Sequence, residues 1–294
     1  MKPSVATRFL SSSAMGSDIL IAFESMQRFT MSGLVFVGAG LGGIDGMSGA
    51  ALRAVRDADC IYVETYTGIF DRTMLTELQK LNPRVIPLGR KDVENPDAIL
   101  SAAAVQNVVL LSTGESMAGT THISLRLQAI ERSIPAHLIF GASVFTAAPA
   151  AAGLQQYKFG RTTTLPRFRE GYRPTSPASV VESNFNAGLH SLVLLDVDSE
   201  TQQGMDAAEG ISELMEMGKS ISSTVLGEET FVCVLSRLGT SEEEVRAGRM
   251  GALRSQIFGP PPHCLIVPAK LHFMEAEALS KIAHADVEEI RHLL

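Results

Sequence analysis

Residues 35–55 read VFVGAGLGGIDGMSGAALRAV: an apolar run, then five glycines in nine positions, then an alanine-rich stretch. Two readings compete for these glycines. Gly38, Gly40 and Gly43 satisfy G-x-G-x-x-G after a strand, and Glu64 ends the next apolar run at the ~20-residue distance of an acidic ribose ligand. That fingerprint works only if a helix begins at the glycines, so that its N-terminal N–H groups point at a pyrophosphate. Here IDGM intervenes, and Gly46 and Gly49 would each weaken an earlier helical turn by roughly 1 kcal/mol relative to Ala. The first good N-cap is Ser48, with Ala51, Val55 and Ala58 on one face of the helix that follows. The loop is too long and too wound for phosphate capture, and a lone match of this kind is weak.

Outward from this stretch, strands and helices alternate. CIYVE, RVIPL, NVVLLS and AHLIFG read as strands; DRTMLTELQKL, PDAILSAAAV and TTHISLRLQAIERS read as helices between them. Such alternation implies a parallel sheet covered on both faces. After a small-residue helix near SVFTAAPAAAGLQQ the character changes. FGRTTTLPRFREGYRPTSPAS reads as strand plus irregular loop, and SLVLLDV, TFVCVLSRLG and HCLIVPA as strands separated by helical stretches at 202–218 and 274–283. The tail HADVEEIRHLL reads as a terminal helix. The fold class expected is α/β with two domains, 31–155 and 156–294.

Residues 1–30 stand apart, rich in Ser and Met, with ILIAF as the only apolar run. That run is too short for a signal-peptide core or a membrane span, and Met31 precedes the first strand, so an extension of little functional weight is expected. Cys60, Cys233 and Cys264 form no CxxC pair, and two sit in apolar runs, so a disulfide framework or structural zinc is not expected and a reducing cytoplasm fits. The formal charge of −7 argues against nucleic acid as the main partner.

VGAGLGG, VETYTG, STGESMAGTTH, GASVFTA, GLQQYKFG, YRPTSPASVVESNFNAGLHSLVLLDV and FGPPPHCLIVPAKLHFMEAEAL occur in that order. In this the chain resembles the tetrapyrrole methylase superfamily and, within it, the diphthine synthases of archaeal type, from about residue 31 to 278. The resemblance implies two α/β domains of tetrapyrrole-methylase type with the cofactor cleft between them, and a homodimer. It also implies methyl transfer from S-adenosylmethionine to the amino nitrogen of a modified histidine of elongation factor 2. Neither a metal nor a membrane is implied.

Carried over residue by residue, the family pattern makes Leu41, Glu115, Ala118, Ser143, Val144, Leu194, Ser236 and His263 cofactor-binding. Glu115 departs from it: TGES stands where the family usually shows Gly-Asp-Pro, so a carboxylate is kept on a longer side chain and the stiffening proline is gone. Ser143 also reads as a helix N-cap, Leu41, Leu194 and Ser236 as strand-end packing, and His263 as a buried structural histidine. His122 either accepts the amine's proton or satisfies a helix terminus. Arg161, Arg167, Arg169 and Arg173, set around Phe168 and Tyr172, form either a protein-docking segment or a solvated loop. Two other activities stay open: C-methylation of a tetrapyrrole and an NAD-dependent oxidation.

Overall fold

The computed structural model describes residues 32–294 apart from positions 67, 70, 71, 199, 200 and 202, so the extension 1–30 lies outside the described residues. Ten strands form two sheets. The first orders β3(Val85–Leu88), β2(Cys60–Glu64), β4(Asn107–Ser112), β1(Gly33–Gly38) and β5(Ala136–Ile139), all parallel. Every residue of β1 and β4 is buried, as expected for central strands sandwiched between helices. Helix α1(Gly49–Asp57) starts where its cap predicts: the Ser48 hydroxyl accepts from the Ala51 N–H at 3.1 Å. Ala51, Val55 and Ala58 are buried against Val35, Val37, Val109 and Leu111, while Leu34, Phe36 and Leu110 face the opposite core. Helices α2(Arg72–Leu81), α3(Arg90–Glu94), α4(Asp97–Ala103) and α5(His122–Glu131) come between the later strands, and α6(Val144–Ala152) follows β5.

The second sheet orders β6(Thr163–Leu165), β7(Ser191–Leu195), β10(His263–Val267), β8(Phe231–Ser236) and β9(Glu244–Arg249). Only β6–β7 is parallel; the other pairings are antiparallel. Period-two alternation splits this sheet between two cores. Cys233, Leu235, Cys264 and Ile266 face one; Val232, Val234, Leu265 and Val267 face the other. Burial pushes the Cys233 and Cys264 thiols up, which leaves them inert apolar groups. The helix expected from residue 202 begins at Ala207, because Gly204 is bridged to Val197 and Asp206 supplies the cap, its carboxylate accepting from the Ala208 N–H at 2.8 Å.

A buried carboxylate ties the segment between the sheets in place. Glu275, fully enclosed, accepts from the Gln155 N–H at 2.9 Å, the His272 N–H at 2.8 Å, the His190 ring at 3.2 Å and the Lys158 ammonium. Burial alone would raise this carboxyl, but the hydrogen bonds from His272, Lys158, Gln155 and His190 outweigh it and bring it to about 2. Burial pushes the His190 imidazole below its usual range, against the pull of Glu275, so the ring is neutral and its Nδ1 accepts from the Ala269 N–H at 3.0 Å.

A depressed carboxylate stabilises the native state above its unfolded value, roughly 4.3, and that contribution fades as pH falls toward the folded value. Glu275→Gln should therefore cost about 3 kcal/mol at pH 7, since it removes the buried charge that pairs the half-buried Lys158 ammonium. Urea unfolding between pH 7 and pH 3 should show a shallower acid limb for the variant than for the parent. Parallel limbs would contradict this role.

Candidate functional site

The C-terminal ends of β1, β4 and β5 converge on three glycines. A Cβ on Gly38 would sit 2.6 Å from the Gly114 carbonyl and 2.7 Å from the Gly141 nitrogen; one on Gly141 would fall 2.3 Å from the Gly114 carbonyl. Gly40 and Gly114 exchange backbone hydrogen bonds of 3.0 and 2.9 Å. Beyond them Gly40, Gly42 and Gly43 take φ of 73°, 84° and 73°, open to glycine at little cost. A 3₁₀ turn at Gly43–Gly46 then carries the chain to α1.

This path removes the dinucleotide reading of the loop. The helix begins six residues after the last glycine of the motif, at Gly49, and one of its first free N–H groups is already taken by Ser48. Glu64 is 1% exposed, and its carboxylate accepts from the Tyr66 N–H at 2.5 Å rather than facing a cleft. The loop instead abuts the second sheet: a Cβ on Gly42 would lie 2.1 Å from the Gly239 carbonyl, just beyond β8.

Two further wall segments are joined through Glu115. Its Oε2 accepts from the Gly141 N–H at 2.8 Å, and its Oε1 from the Met117 N–H and the Ser116 hydroxyl, both at 3.3 Å. The turn holding Ala118 is thereby bound to the segment holding Ser143 and Val144. Ser143 caps α6, its hydroxyl accepting from the Phe145 N–H at 3.3 Å. The cap reading and the site reading of Ser143 are compatible.

Leu41, Val144 and Leu194 arrive from the glycine loop, the start of α6 and the end of β7, and all three lie half-buried on the same apolar core beneath the second sheet. Ser236 and His263 are cross-strand neighbours at the ends of β8 and β10, but they follow Val234 and Leu265 to the opposite face. There His263 Nδ1 accepts from the Ala207 N–H at 3.1 Å, the ring lies edge-on to Phe258, and burial holds its pKa below the usual range. His263 Nε2 and the Ser236 hydroxyl are buried with no hydrogen-bond partner among the described residues. Toward Leu41, then, these two residues offer backbone rather than side chain.

His122 is 1% exposed; its Nδ1 lies 2.8 Å from the Ser116 carbonyl and so carries the proton. Nε2 is left as a buried acceptor without a partner among the described residues. Of the four arginines, Arg167 grips Glu209 through two bonds of 2.6 and 3.0 Å, Arg169 lies 4.0 Å from Asp196, and Arg173 stacks 5.1 Å from the centre of Phe168. Three of the four guanidinium groups are thus engaged within the chain. The sequence reading missed Arg237 and Gly239, which close the seam from the second sheet. The one local signal is SRLG: a cation and a glycine directly after a fully buried strand.

Comparison with known proteins agrees with this geometry. Residues 33–254 match the family model for tetrapyrrole (corrin/porphyrin) methylases. A diphthine synthase of Methanosphaera stadtmanae is 36% identical over 262 residues, covering 89% of this chain and 100% of that protein. One of Methanothermobacter thermautotrophicus is 38% identical, covering 86% of this chain and 96% of its own length. A crystal structure of diphthine synthase superposes with a TM-score of 0.78 at 32% identity, over 88% of this chain and 98% of that one.

Crowding and backbone strain can be separated at the seam. Gly42→Ala adds a Cβ inside the Gly239 carbonyl, whereas Gly43→Ala, at nearly the same φ, meets nothing within 4 Å. Gly43→Ala should cost only about 1 kcal/mol of left-handed strain, and Gly42→Ala roughly 3 kcal/mol or more. Equal losses in urea unfolding would show that the loop does not bear on the second sheet.

Proposed function

The chain belongs to the tetrapyrrole (corrin/porphyrin) methylases and, among them, to the diphthine synthases, and from that membership we propose that it moves methyl groups from S-adenosylmethionine to the amino nitrogen of a modified histidine on elongation factor 2. The observation that supports this reading is that Leu41, Val144 and Leu194, each half-buried, pack against one apolar core beneath the second sheet, beside a glycine turn that starts its helix only at Gly49. Such a surface suits a thioether and an adenine edge and offers no cradle for pyrophosphate.

When bound, S-adenosylmethionine supplies a methyl carbon already activated by its sulfonium. The residues need only hold the partners in line and exclude water. Leu41, Ala118, Val144 and Leu194 form the apolar walls of the proposed site. Glu115 and Ser143 fix two of those walls, and Ser236 and His263 present backbone to the adenine side. His122 Nε2, the acceptor nitrogen of the tautomer whose Nδ1–H donates to the Ser116 carbonyl, is the proposed acceptor for the proton the amine gives up.

The family's self-association also has a surface to use. β5 is an edge strand, and beside it Ile123, Leu127 and Ile130 stripe one face of α5 at 53%, 52% and 55% exposure, with Phe140 at 70%. We place the contact of a homodimer there.

Calorimetry should show S-adenosylhomocysteine binding with no response to NAD, and labelled donor should pass methyl to the modified elongation factor and not to a tetrapyrrole. NAD binding, or label on a tetrapyrrole alone, would overturn the reading. Light scattering should give twice 31.5 kDa for the parent and about half that mass for Leu127→Glu. A variant still at the parent's mass would move the contact elsewhere.

A further inference from the structure

Two turns border the seam from the side of the second sheet. One, at 237–243, follows β8 and lays Gly239 against Leu41 and Gly42: a Cβ on Gly239 would sit 2.9 Å from Leu41 Cβ. The other, at 258–262, leads directly into His263. Both turns are organised by one side chain. Arg237 Nη1 donates to the Phe258 carbonyl at 2.7 Å and to the Pro260 carbonyl at 2.9 Å, while Nε donates to the Glu242 carbonyl at 3.1 Å. Its own N–H donates to the Pro262 carbonyl at 2.9 Å, and its carbonyl accepts from the Thr240 N–H and hydroxyl.

The backbone at Arg237 is left-handed, with φ of 50°, a conformation that costs a non-glycine residue of order 1 kcal/mol. The side chain is only 12% exposed. Gly259 is matched to it, since a Cβ there would lie 2.8 Å from Nη1. An arginine that spends its planar fork on three carbonyls, in a strained backbone, is serving the shape of both turns rather than a surface ion pair; the Glu242 carboxylate stands off at 3.5 Å.

We propose that Arg237 is a positioning residue for the donor site: it locks the turn that rests on Leu41 and Gly42 to the turn that delivers His263, and so sets the width of the slot between the sheets. This rests on the proposed binding of S-adenosylmethionine. Lysine keeps the charge but has no fork, and cannot hold Phe258, Pro260 and Glu242 at once. The slot should loosen while the methyl-transfer geometry, set on the first sheet, is unchanged.

The experiment pairs Arg237→Lys with the parent in calorimetry with S-adenosylhomocysteine, thermal unfolding and methyl-transfer kinetics. Arg237→Lys should weaken S-adenosylhomocysteine binding about tenfold and raise the donor KM about tenfold, with kcat within about twofold. Parent-like affinity, even with a lowered Tm, overturns the proposal, because a purely structural role would move stability alone. If Arg237→Lys does not fold, Glu243→Ala tests the same turn, since Glu243 accepts from the Gly239 N–H at 2.7 Å from an exposed position. It should weaken binding about threefold, and unchanged affinity there also overturns the proposal. A parent that fails to bind S-adenosylhomocysteine removes the donor reading and this proposal together; a parent that binds, beside a variant that binds equally, removes this proposal alone.

Discussion

Main-chain atoms at Gly38, Gly114 and Gly141 run closer together than any Cβ permits, and the rest of the site depends on that approach. It draws the ends of the three strands β4, β1 and β5 into one knot of backbone, with Gly40 and Gly114 hydrogen-bonded across it. Side chains are then carried outward from a rigid floor. Leu41 is thrust onto the core of the second sheet, and Glu115 can reach the Gly141 N–H. A larger residue at Gly38 or Gly141 would part the strands and separate Ala118 from Val144.

The same economy explains why the site holds so few charged side chains. Methyl transfer from a sulfonium gains most from alignment and dryness, and little from acid–base pairs. Carboxylates near the seam are accordingly spent on backbone N–H groups: Glu115 on Gly141 and Met117, and Glu243 on Gly239. Each stiffens a turn.

The first sheet was legible from the residues because its strands are continuous apolar runs and its first helix is announced by Ser48. Leu41, Val144 and Leu194 pack against one core beneath the second sheet, but each alone reads as packing and only the family pattern groups them. Strand β9, EVRAGR, was missed: it is a half-buried edge whose Glu244 and Arg246 pair with each other and whose Arg249 pairs with Glu229, so it has no apolar run to betray it. The face taken by His263 was also unreadable, because it is set by register against Ser236 and not by neighbours in the chain. The contact of Gly42 with Gly239 joins residues almost two hundred positions apart, beyond any local pattern.

The central claim is that the glycine turn closes against the second sheet and leaves an apolar slot for a sulfonium donor. A crystal structure of the chain with S-adenosylhomocysteine tests it most directly. Density for the thioether and adenine between Leu41, the 114–118 turn and Val144, with the glycine loop unmoved, is the result expected. Density at another surface, or a loop that swings its helix terminus onto the ligand, would contradict the account.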